Sequence, residues 1–265
     1  MIVIARNRAA AFDEGALSGF ELTIYQKKKN SSVEYEYDSD NTLLFELQMR
    51  THIMESSLAL SQSGVYFAGF KDSQCNEAYW HHTHQGRFQL KAGVSAQDAI
   101  RDIFRNGNLY AFECSTAIVV ILYKAILESI DPKQFDRLFS DLLLFDKTYN
   151  KNLHLNDRTN IEEAVTGDVL YFDNPEFSPL TPWWRGQNAI KIENGLYYGH
   201  GHGTGIVSAE EIIAVLNLFR KPDSTQSAFL TQTFVHPNFS FFSRFQSNIQ
   251  EKPMIAKIGA WTFVG

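Results

Sequence analysis

The chain has 265 residues, of which 44% are hydrophobic, enough for one large domain or two small ones. Aromatic residues make up 14%, which indicates a large core and also suits an apolar groove or tunnel. The formal net charge is −6, so nucleic-acid binding is not expected. The one short basic run, Lys27-Lys28-Lys29, is interpreted as a solvated loop.

The cysteine content and the apolar runs bear on the compartment. Two cysteines, Cys75 and Cys114, do not make a disulfide framework. No long apolar segment of secretory type opens the chain, and no run reaches the roughly 18 to 20 apolar residues of a membrane span. The expected location is the cytoplasm, where both thiols stay free. Cys75 lies among aromatic and polar residues and is interpreted as structural.

The first hundred residues give one strong helical pattern. Residues 1–40 are polar and patchy, and are predicted to be a variable, mobile surface segment with a strand or loop. Residues 42–63 have helical spacing of apolar side chains and are followed by Gly64, a plausible helix stop. Residues 65–92 predict loops and short strands, and their aromatics, such as Phe67 and Phe70, suit the wall of a groove.

Three histidines that could be metal ligands lie in the run Trp80-His81-His82-Thr83-His84. No further cysteine or carboxylate pair completes it with zinc-like spacing, so a surface or wall loop is favoured over a metal site.

Three helices are predicted between residues 95 and 146. The first covers 95–106, with Ser95 as its N-cap, and Asn106-Gly107 breaks it. The second, 114–130, is apolar on nearly every face and therefore belongs in the centre of the protein. The third covers 132–146, after Asp131-Pro132.

The period of the apolar pattern changes after residue 165. A strand is predicted at 169–172, then a hairpin of 189–192 with 196–198, joined by a turn at Glu193-Asn194-Gly195. Ser208 and Glu211 form a capping box that opens another helix. Residues 221–265 are predicted to be irregular. Helices first and strands later indicate an α+β fold, with residues 1–265 as a single domain.

Cys114 stands at the predicted start of the apolar helix. The N–H groups and the dipole of a helix N-terminus stabilise a thiolate, which is the nucleophilic form of cysteine. The neighbouring Glu113 has the opposite effect unless it points away or acts as a base. Position alone leaves two interpretations open, a nucleophile and a small buried hydrophobe.

A second polar segment surrounds the predicted hairpin. Pairing of its strands brings Gln187 or Asn188 near His200, which glycines flank on both sides. A histidine in such a place suits acid–base chemistry or the orienting of a partner, although a single histidine is more often structural or on the surface.

Four motifs together resemble a known family: YAFECSTAIVVILYKAIL, GDVLYFDNPEF, WRGQNAI and YYGHG. They are similar in order and spacing to the protein-glutamine γ-glutamyltransferases of spore-forming bacilli, the small spore-coat transglutaminases. The likeness spans most of the chain and is weaker in the first and last 40 residues.

The resemblance implies a papain-like α+β core related to NlpC/P60 amidases and peptidases, with a central antiparallel sheet, flanking helices and the nucleophile at the start of a buried helix. It implies calcium-independent formation of ε-(γ-glutamyl)lysine crosslinks between spore-coat proteins through a cysteine thioester. The partners would be proteins that present Gln and Lys side chains, first in the mother-cell cytoplasm and then in the spore coat. No cofactor, metal, nucleic acid or membrane is implied.

The resemblance also assigns roles to residues of this chain. Cys114 matches the nucleophile and Glu113 the adjacent supporting carboxylate. His200 matches the family histidine by its distance from WRGQN, whereas the distance from the following helix selects His202 instead. The residues expected to line a substrate tunnel are Trp183, Trp184, Phe67 and Phe70.

One position departs from the family pattern. The family has a catalytic glutamate in WRGEN, where this chain has Gln187, and an amide cannot titrate as a base. Glu113 then takes the base role, or His200 pairs with Cys114, or the chain is weakened. Two other functions therefore stay open beside acyl transfer: a cysteine amidase or peptidase of NlpC/P60 type, and a weakened protein that binds coat components.

Overall fold

The computed structural model describes residues 1–4, 12–17, 19–146, 151–201, 205–247, 255–258 and 261–264. The helices are α1 (Gly19–Lys29), α2 (Asp40–Gln62), α3 (Ala96–Arg105), α4 (Cys114–Ser129), α5 (Pro132–Leu138), α6 (Ala209–Asn217) and α7 (Phe239–Ser243). The strands are β1 (Ile2–Ile4), β2 (Tyr35–Tyr37), β3 (Tyr66–Phe67), β4 (Trp80–His82), β5 (Phe88–Leu90), β6 (Ala111–Phe112), β7 (Leu143–Leu144), β8 (Leu155–Arg158), β9 (Val169–Asp173), β10 (Gly186–Lys191), β11 (Leu196–Gly199), β12 (Ile206–Ser208), β13 (Phe229–Pro237), β14 (Ile255–Ile258) and β15 (Trp261–Val264).

A six-stranded antiparallel sheet, in the order β12-β11-β10-β9-β13-β8, forms the frame of the fold. Side chains on its strands alternate between two faces. Val169 and Ile190 belong to the main core, together with α2, α3 and α4. Their neighbours Leu170 and Ala189 belong to a second core, with α6. The prediction of an α+β fold with a central antiparallel sheet and flanking helices is confirmed.

Helix α4 lies at the centre of the main core, packed between α2 and strand β10. Nearly all its side chains from Ser115 onward are buried, which explains why its sequence is apolar on almost every face. Among the described residues, none of the helices is both long and apolar enough to cross a membrane.

Most predicted helices and the hairpin are confirmed, and their caps are as the sequence indicates. The Ser95 side chain accepts from the Asp98 N–H at the start of α3, and Ser208 and Glu211 form the capping box of α6. In the turn between β10 and β11, Asn194 and Gly195 adopt φ angles of 57° and 75°, the left-handed conformation that these residue types tolerate.

The predicted helix over 132–146 is wrong in its second half. Helix α5 ends at Leu138, and residues 143–144 form β7, which pairs with β5. Leu142 and Leu144 are buried while Leu143 is half-buried, which is the period of a strand. Four closely spaced apolar residues fit both periods, so the sequence pattern does not separate them.

The prediction for the first 40 residues is confirmed in part, because residues 2–4 and 35–37 form the strands β1 and β2, but it did not include a helix. Residues 19–29 form α1, which contributes Ile24 and Tyr25 to a third core cluster with α2. Lys28 is 2% exposed and pairs with Glu46, so the basic run is not a solvated loop. Its charge is buried because α2 supplies the carboxylate, a long-range contact that local sequence does not reveal.

The segment after residue 221, predicted to be irregular, contains a nine-residue strand, β13, between β9 and β8. A register shift between Leu230 and Phe234 interrupts its pairing with β9. This irregularity breaks the strict alternation by which strands are recognised in a sequence.

Candidate active site

Cys114 is the first residue of α4, and Glu113 is the N-cap. The Glu113 carboxylate accepts hydrogen bonds from the backbone N–H groups of Ser115 at 2.8 Å and Thr116 at 2.7 Å. The carboxylate therefore lies over the positive end of the helix, where negative charge is favoured. Its Oε2 atom is 3.5 Å from the Cys114 Sγ atom.

The sulfur opens onto a cavity of about 480 Å³. Aromatic and apolar side chains form part of the wall, and glycines, uncharged polar side chains and charged side chains of both signs form the rest. The lining residues are Phe67, Gly69, Phe70, Lys71, Asp72, Glu113, Cys114, Ser115, Asp146, Tyr171, Pro182, Trp183, Arg185, Gly186 and Asn188.

The electrostatics of the site keep the resting sulfur protonated. Burial, and then the negative charge of Glu113, raise the pKa of the Cys114 thiol to about 12, although the backbone and side-chain N–H groups of Asn188 lower it. Burial also raises the pKa of Glu113, against the N–H groups of Ser115 and Thr116. The lowering of the thiol pKa expected from the helix N-terminus is thus outweighed, first by burial and then by Glu113, which occupies that end of the helix.

Glu113→Gln is expected to make Cys114 more reactive toward alkylation. The neutral amide removes the charge that raises the thiol pKa, and each unit by which the pKa falls increases the thiolate fraction about tenfold below the pKa. The measurement is the rate of iodoacetamide alkylation as a function of pH, with Cys75→Ala in both chains so that Cys114 is the reacting thiol.

The same substitution is expected to slow enzymatic turnover if Glu113 accepts the thiol proton. A matched control is Glu77→Gln, a solvent-exposed carboxylate outside the cavity. An alkylation profile that shifts to higher pH in Glu113→Gln would contradict the assignment of Glu113 as the charge that holds the thiol neutral.

Asn188 faces the sulfur from strand β10. It lies opposite Tyr171 of β9, and partners across an antiparallel pair share a face. Its Nδ2 atom is 3.7 Å from the Cys114 Sγ atom. Gly186 lies on this face too, and a Cβ atom there would be 2.2 Å from the Tyr171 hydroxyl oxygen. Glycine therefore lets the Tyr171 side chain lie across the strand.

Gln187 lies opposite Phe172, on the face of the sheet that turns away from Cys114. It is 3% exposed, and its Nε2 group donates to the His200 carbonyl oxygen at 3.2 Å. This contact uses the amide as a donor, which a carboxylate cannot reproduce unless it is protonated.

His200 is buried at the end of β11, beside the strand that leads into α4. Its Nε2 atom is 3.1 Å from the Phe112 carbonyl oxygen and 3.3 Å from that of Tyr66, while Nδ1 is 3.3 Å from the Tyr198 hydroxyl. The ring also packs against Phe67 and Phe112. His200 thus holds the backbone two residues before the nucleophile. His202 lies outside the described residues.

The four residues expected to line a tunnel divide into two groups. Phe67, Phe70 and Trp183 line the cavity, and Trp183 is 50% exposed at its rim. Trp184 is buried, stacks on Phe219 with ring centroids 4.0 Å apart, and lies behind Phe67 at 6.1 Å.

The structure also brings together polar residues that sequence reasoning did not select, namely Asn188, Tyr171, Asp146 and Arg185. The sequence contains a signal for the face on which Asn188 lies, because Ile190, two positions further along the same strand, is apolar. A helix-facing Ile190 places Asn188 on the side of α4 and Gln187 on the other side.

The histidine run shows no metal-like arrangement. His82 Nε2 lies 2.9 Å from the Ser73 hydroxyl, and His81 is exposed. Across the part of the chain that the structure describes, the His, Cys, Asp and Glu side chains form no group of three or more that would hold a metal ion.

The chain is similar to known proteins in sequence and in fold. The family model described as protein-glutamine gamma-glutamyltransferase matches residues 1–246. The chain is 44% identical over 210 residues to the protein-glutamine gamma-glutamyltransferase of Halalkalibacterium halodurans, covering 79% of this chain and 73% of the relative. It is 46% identical over 196 residues to that of Bacillus licheniformis, covering 74% and 78%.

The fold is similar to a solved structure, the transglutaminase from Geobacillus stearothermophilus without its C-terminal extension. The TM-score is 0.75 at 45% sequence identity, with 79% of this chain and 99% of that chain covered.

The mixed α+β fold, the helix-start cysteine and these matches define the chain as an acyltransferase. It belongs to the protein-glutamine γ-glutamyltransferase family, the transglutaminases.

Proposed function

We propose that this chain forms ε-(γ-glutamyl)lysine crosslinks between spore-coat proteins, through a thioester on Cys114 and without calcium. The carrying observation is the placement of the Cys114 sulfur in a cavity of about 480 Å³, 3.5 Å from the Glu113 carboxylate. The spore coat, calcium independence and a papain-like core related to NlpC/P60 amidases are proposed from the resemblance of the motifs to the spore-coat enzymes.

In the proposed reaction, Glu113 accepts the thiol proton and the Cys114 sulfur attacks the carboxamide carbon of a substrate Gln. The carbon–nitrogen bond breaks, the leaving amide nitrogen takes up the proton, and ammonia departs. A neutral Lys amine then attacks the thioester carbon, the sulfur leaves, and the proton lost by the amine returns to the thiol. The sum is Gln plus Lys giving the isopeptide and ammonia.

Glu113 is the proposed base because it contacts the sulfur and because burial raises its pKa, which makes a carboxylate a better proton acceptor. Gln187 does not titrate, and it is bonded to the His200 carbonyl oxygen. We assign Gln187 and His200 to positioning, since His200 contacts the carbonyl oxygen of Phe112, two residues before Cys114, and Gln187 donates to the backbone of His200.

The aromatic part of the wall favours amine over water as the second substrate. Phe67, Phe70 and Trp183 present apolar surface next to the sulfur. Water that reaches the thioester hydrolyses it. When a Lys side chain occupies a cavity with an apolar wall, water is excluded. An amidase on the same scaffold would use the same thioester but admit water.

The test is incorporation of a fluorescent primary amine into a Gln-bearing protein, with a calcium chelator present throughout. The unmodified chain is expected to produce label, and Gln187→Glu is expected to label faster because the substitution introduces the carboxylate that the resemblance implies at this position. Gln232→Glu adds a carboxylate to an exposed position of β13 and is the matched control.

Each other result selects a different interpretation. Ammonia release without label would establish the hydrolase. No label in the unmodified chain, but label in Gln187→Glu, would identify a weakened protein that binds its former substrates. Slower labelling by Gln187→Glu would show that the amide donor to His200 matters more than a second carboxylate.

A further inference from the structure

We propose that Asn188 is a further catalytic residue, whose side-chain amide stabilises the negative charge on the Cys114 sulfur. The inference rests on the proposed function, in that Cys114 must be the nucleophile.

The N–H groups at the N-terminus of α4 already donate hydrogen bonds to a group other than the sulfur. The N–H groups of Ser115 and Thr116 are bonded to the Glu113 carboxylate, and the Thr116 hydroxyl donates to it as well, at 3.1 Å. These donors hold the base in place and therefore do not serve the sulfur. A charge on the sulfur needs donors from another element, and Asn188 supplies them from the sheet.

The position of Asn188 is fixed by its surroundings. It is 7% exposed and lies within the antiparallel pairing of β10 with β9, which runs from Gly186 to Ile190. The Nδ2 group donates toward Sγ over 3.7 Å, and the backbone and side chain of Asn188 both lower the pKa of the Cys114 thiol. A donor held on a paired strand needs little rearrangement when charge develops, which is the condition for strong electrostatic stabilisation.

The chemistry of the side chain fits this role. An amide donates hydrogen bonds without carrying charge, so it stabilises a thiolate at every pH at which the protein is folded. Both Glu113 and Asn188 contact the sulfur, one from the helix start and the other from the sheet. The carboxylate receives the proton while the amide stabilises the charge that the proton leaves behind.

The experiment compares Asn188→Ala and Asn188→Asp with the unmodified chain, all carrying Cys75→Ala. The first measurement is the pH profile of iodoacetamide alkylation of Cys114, and the second is kcat/KM for amine incorporation. Gln232→Ala, which removes an exposed amide from the same sheet, is the control. Thermal unfolding is recorded for every variant. If Asn188→Ala does not fold, the isosteric variant Asn188→Asp provides the test.

Asn188→Ala is expected to lower kcat/KM about 10²-fold to 10³-fold, as for the loss of one preorganised donor. The alkylation profile is expected to shift to higher pH, further for Asn188→Asp because a carboxylate repels the thiolate. Folded variants whose alkylation profiles coincide with that of the unmodified chain would overturn the inference, whatever their turnover. A shifted profile in a chain that never incorporates amine would support this role for Asn188 while the proposed crosslinking fails.

Discussion

Cys114→Ala is expected to abolish both amine incorporation and ammonia release, with a loss of at least about 10³-fold in rate. Alanine keeps the helix start and the Glu113 cap, because the cap bonds involve the backbone of Ser115 and Thr116. It removes the atom that would carry the acyl group. The measurement is the labelling rate of a Gln-bearing protein by a fluorescent amine, with released ammonia determined in the same samples.

The matched control is Cys75→Ala, which removes the other thiol of the chain. Cys75 is half-buried against the main core, away from the cavity wall, and burial raises the pKa of its thiol to about 12. Labelling is expected to continue in this variant. Label that persists in Cys114→Ala and disappears in Cys75→Ala would transfer the nucleophile to the other cysteine and refute the active site at Cys114.

The raised pKa of both thiols shows why a thiolate cannot be recognised from sequence position alone. Cys114 occupies a helix N-terminus, where a low pKa is expected. Burial raises its pKa most, and the residue before it is a carboxylate that takes the N–H donors for itself and raises the pKa further. Whether the adjacent Glu113 points toward the helix or away from it is a matter of side-chain direction, which the sequence does not give.

The hairpin likewise shows that a sequence pattern predicts the pairing of strands better than the direction in which their side chains point. The pairing of β10 with β11 follows from the apolar runs and the turn at Asn194-Gly195. The sequence pattern therefore predicts that the polar residues at the start of β10 lie close to His200. Ile190 favours Asn188 as the residue that faces the helix, but the neighbouring Ala189 is apolar too, and a shift of one residue in register exchanges the two faces.

Long-range contacts explain why the prediction of a solvated loop at Lys28 is wrong. The charged neighbours of Lys28 favour a solvated position, yet Lys28 is buried because Glu46 lies beside it and the Tyr37 hydroxyl accepts from it at 2.6 Å. Partners 18 residues and 9 residues away in the sequence make this possible. The pairing of a buried charge is a property of the folded chain, so composition and local spacing do not indicate it.

Lys28, Glu46, Arg50 and Asp168 form a buried ionic cluster that extends from α1 to the sheet. Glu46 accepts from Arg50 Nε at 2.7 Å, and Arg50 Nη1 is bonded to Asp168 Oδ1 at 2.7 Å. Burial alone would raise the pKa of Glu46, but Lys28 and Arg50 outweigh burial and hold that pKa well below its usual range. The cluster joins α1 and α2 to the residue that precedes β9, the strand that pairs with β10.

Asp168→Ala is expected to lower the free energy of unfolding by about 3 to 5 kcal/mol, the range observed when one partner of a buried ion pair is removed. Asp168 is fully buried, and its second oxygen accepts from the Val165 N–H at 2.7 Å. The substitution thus leaves a buried guanidinium with one carboxylate fewer, and also leaves a backbone donor without its acceptor. The measurement is urea unfolding followed by circular dichroism.

Asp157→Ala is the matched control, because Asp157 is an exposed carboxylate on β8 of the same sheet. Its substitution is expected to change the free energy of unfolding by no more than about 0.5 kcal/mol. An equally small effect of Asp168→Ala would mean that Glu46 alone compensates Arg50, with the cluster dispensable for stability. A large effect on unfolding, with alkylation of Cys114 unchanged below the transition, would place the cluster in the frame of the fold and separate it from the chemistry of the cavity.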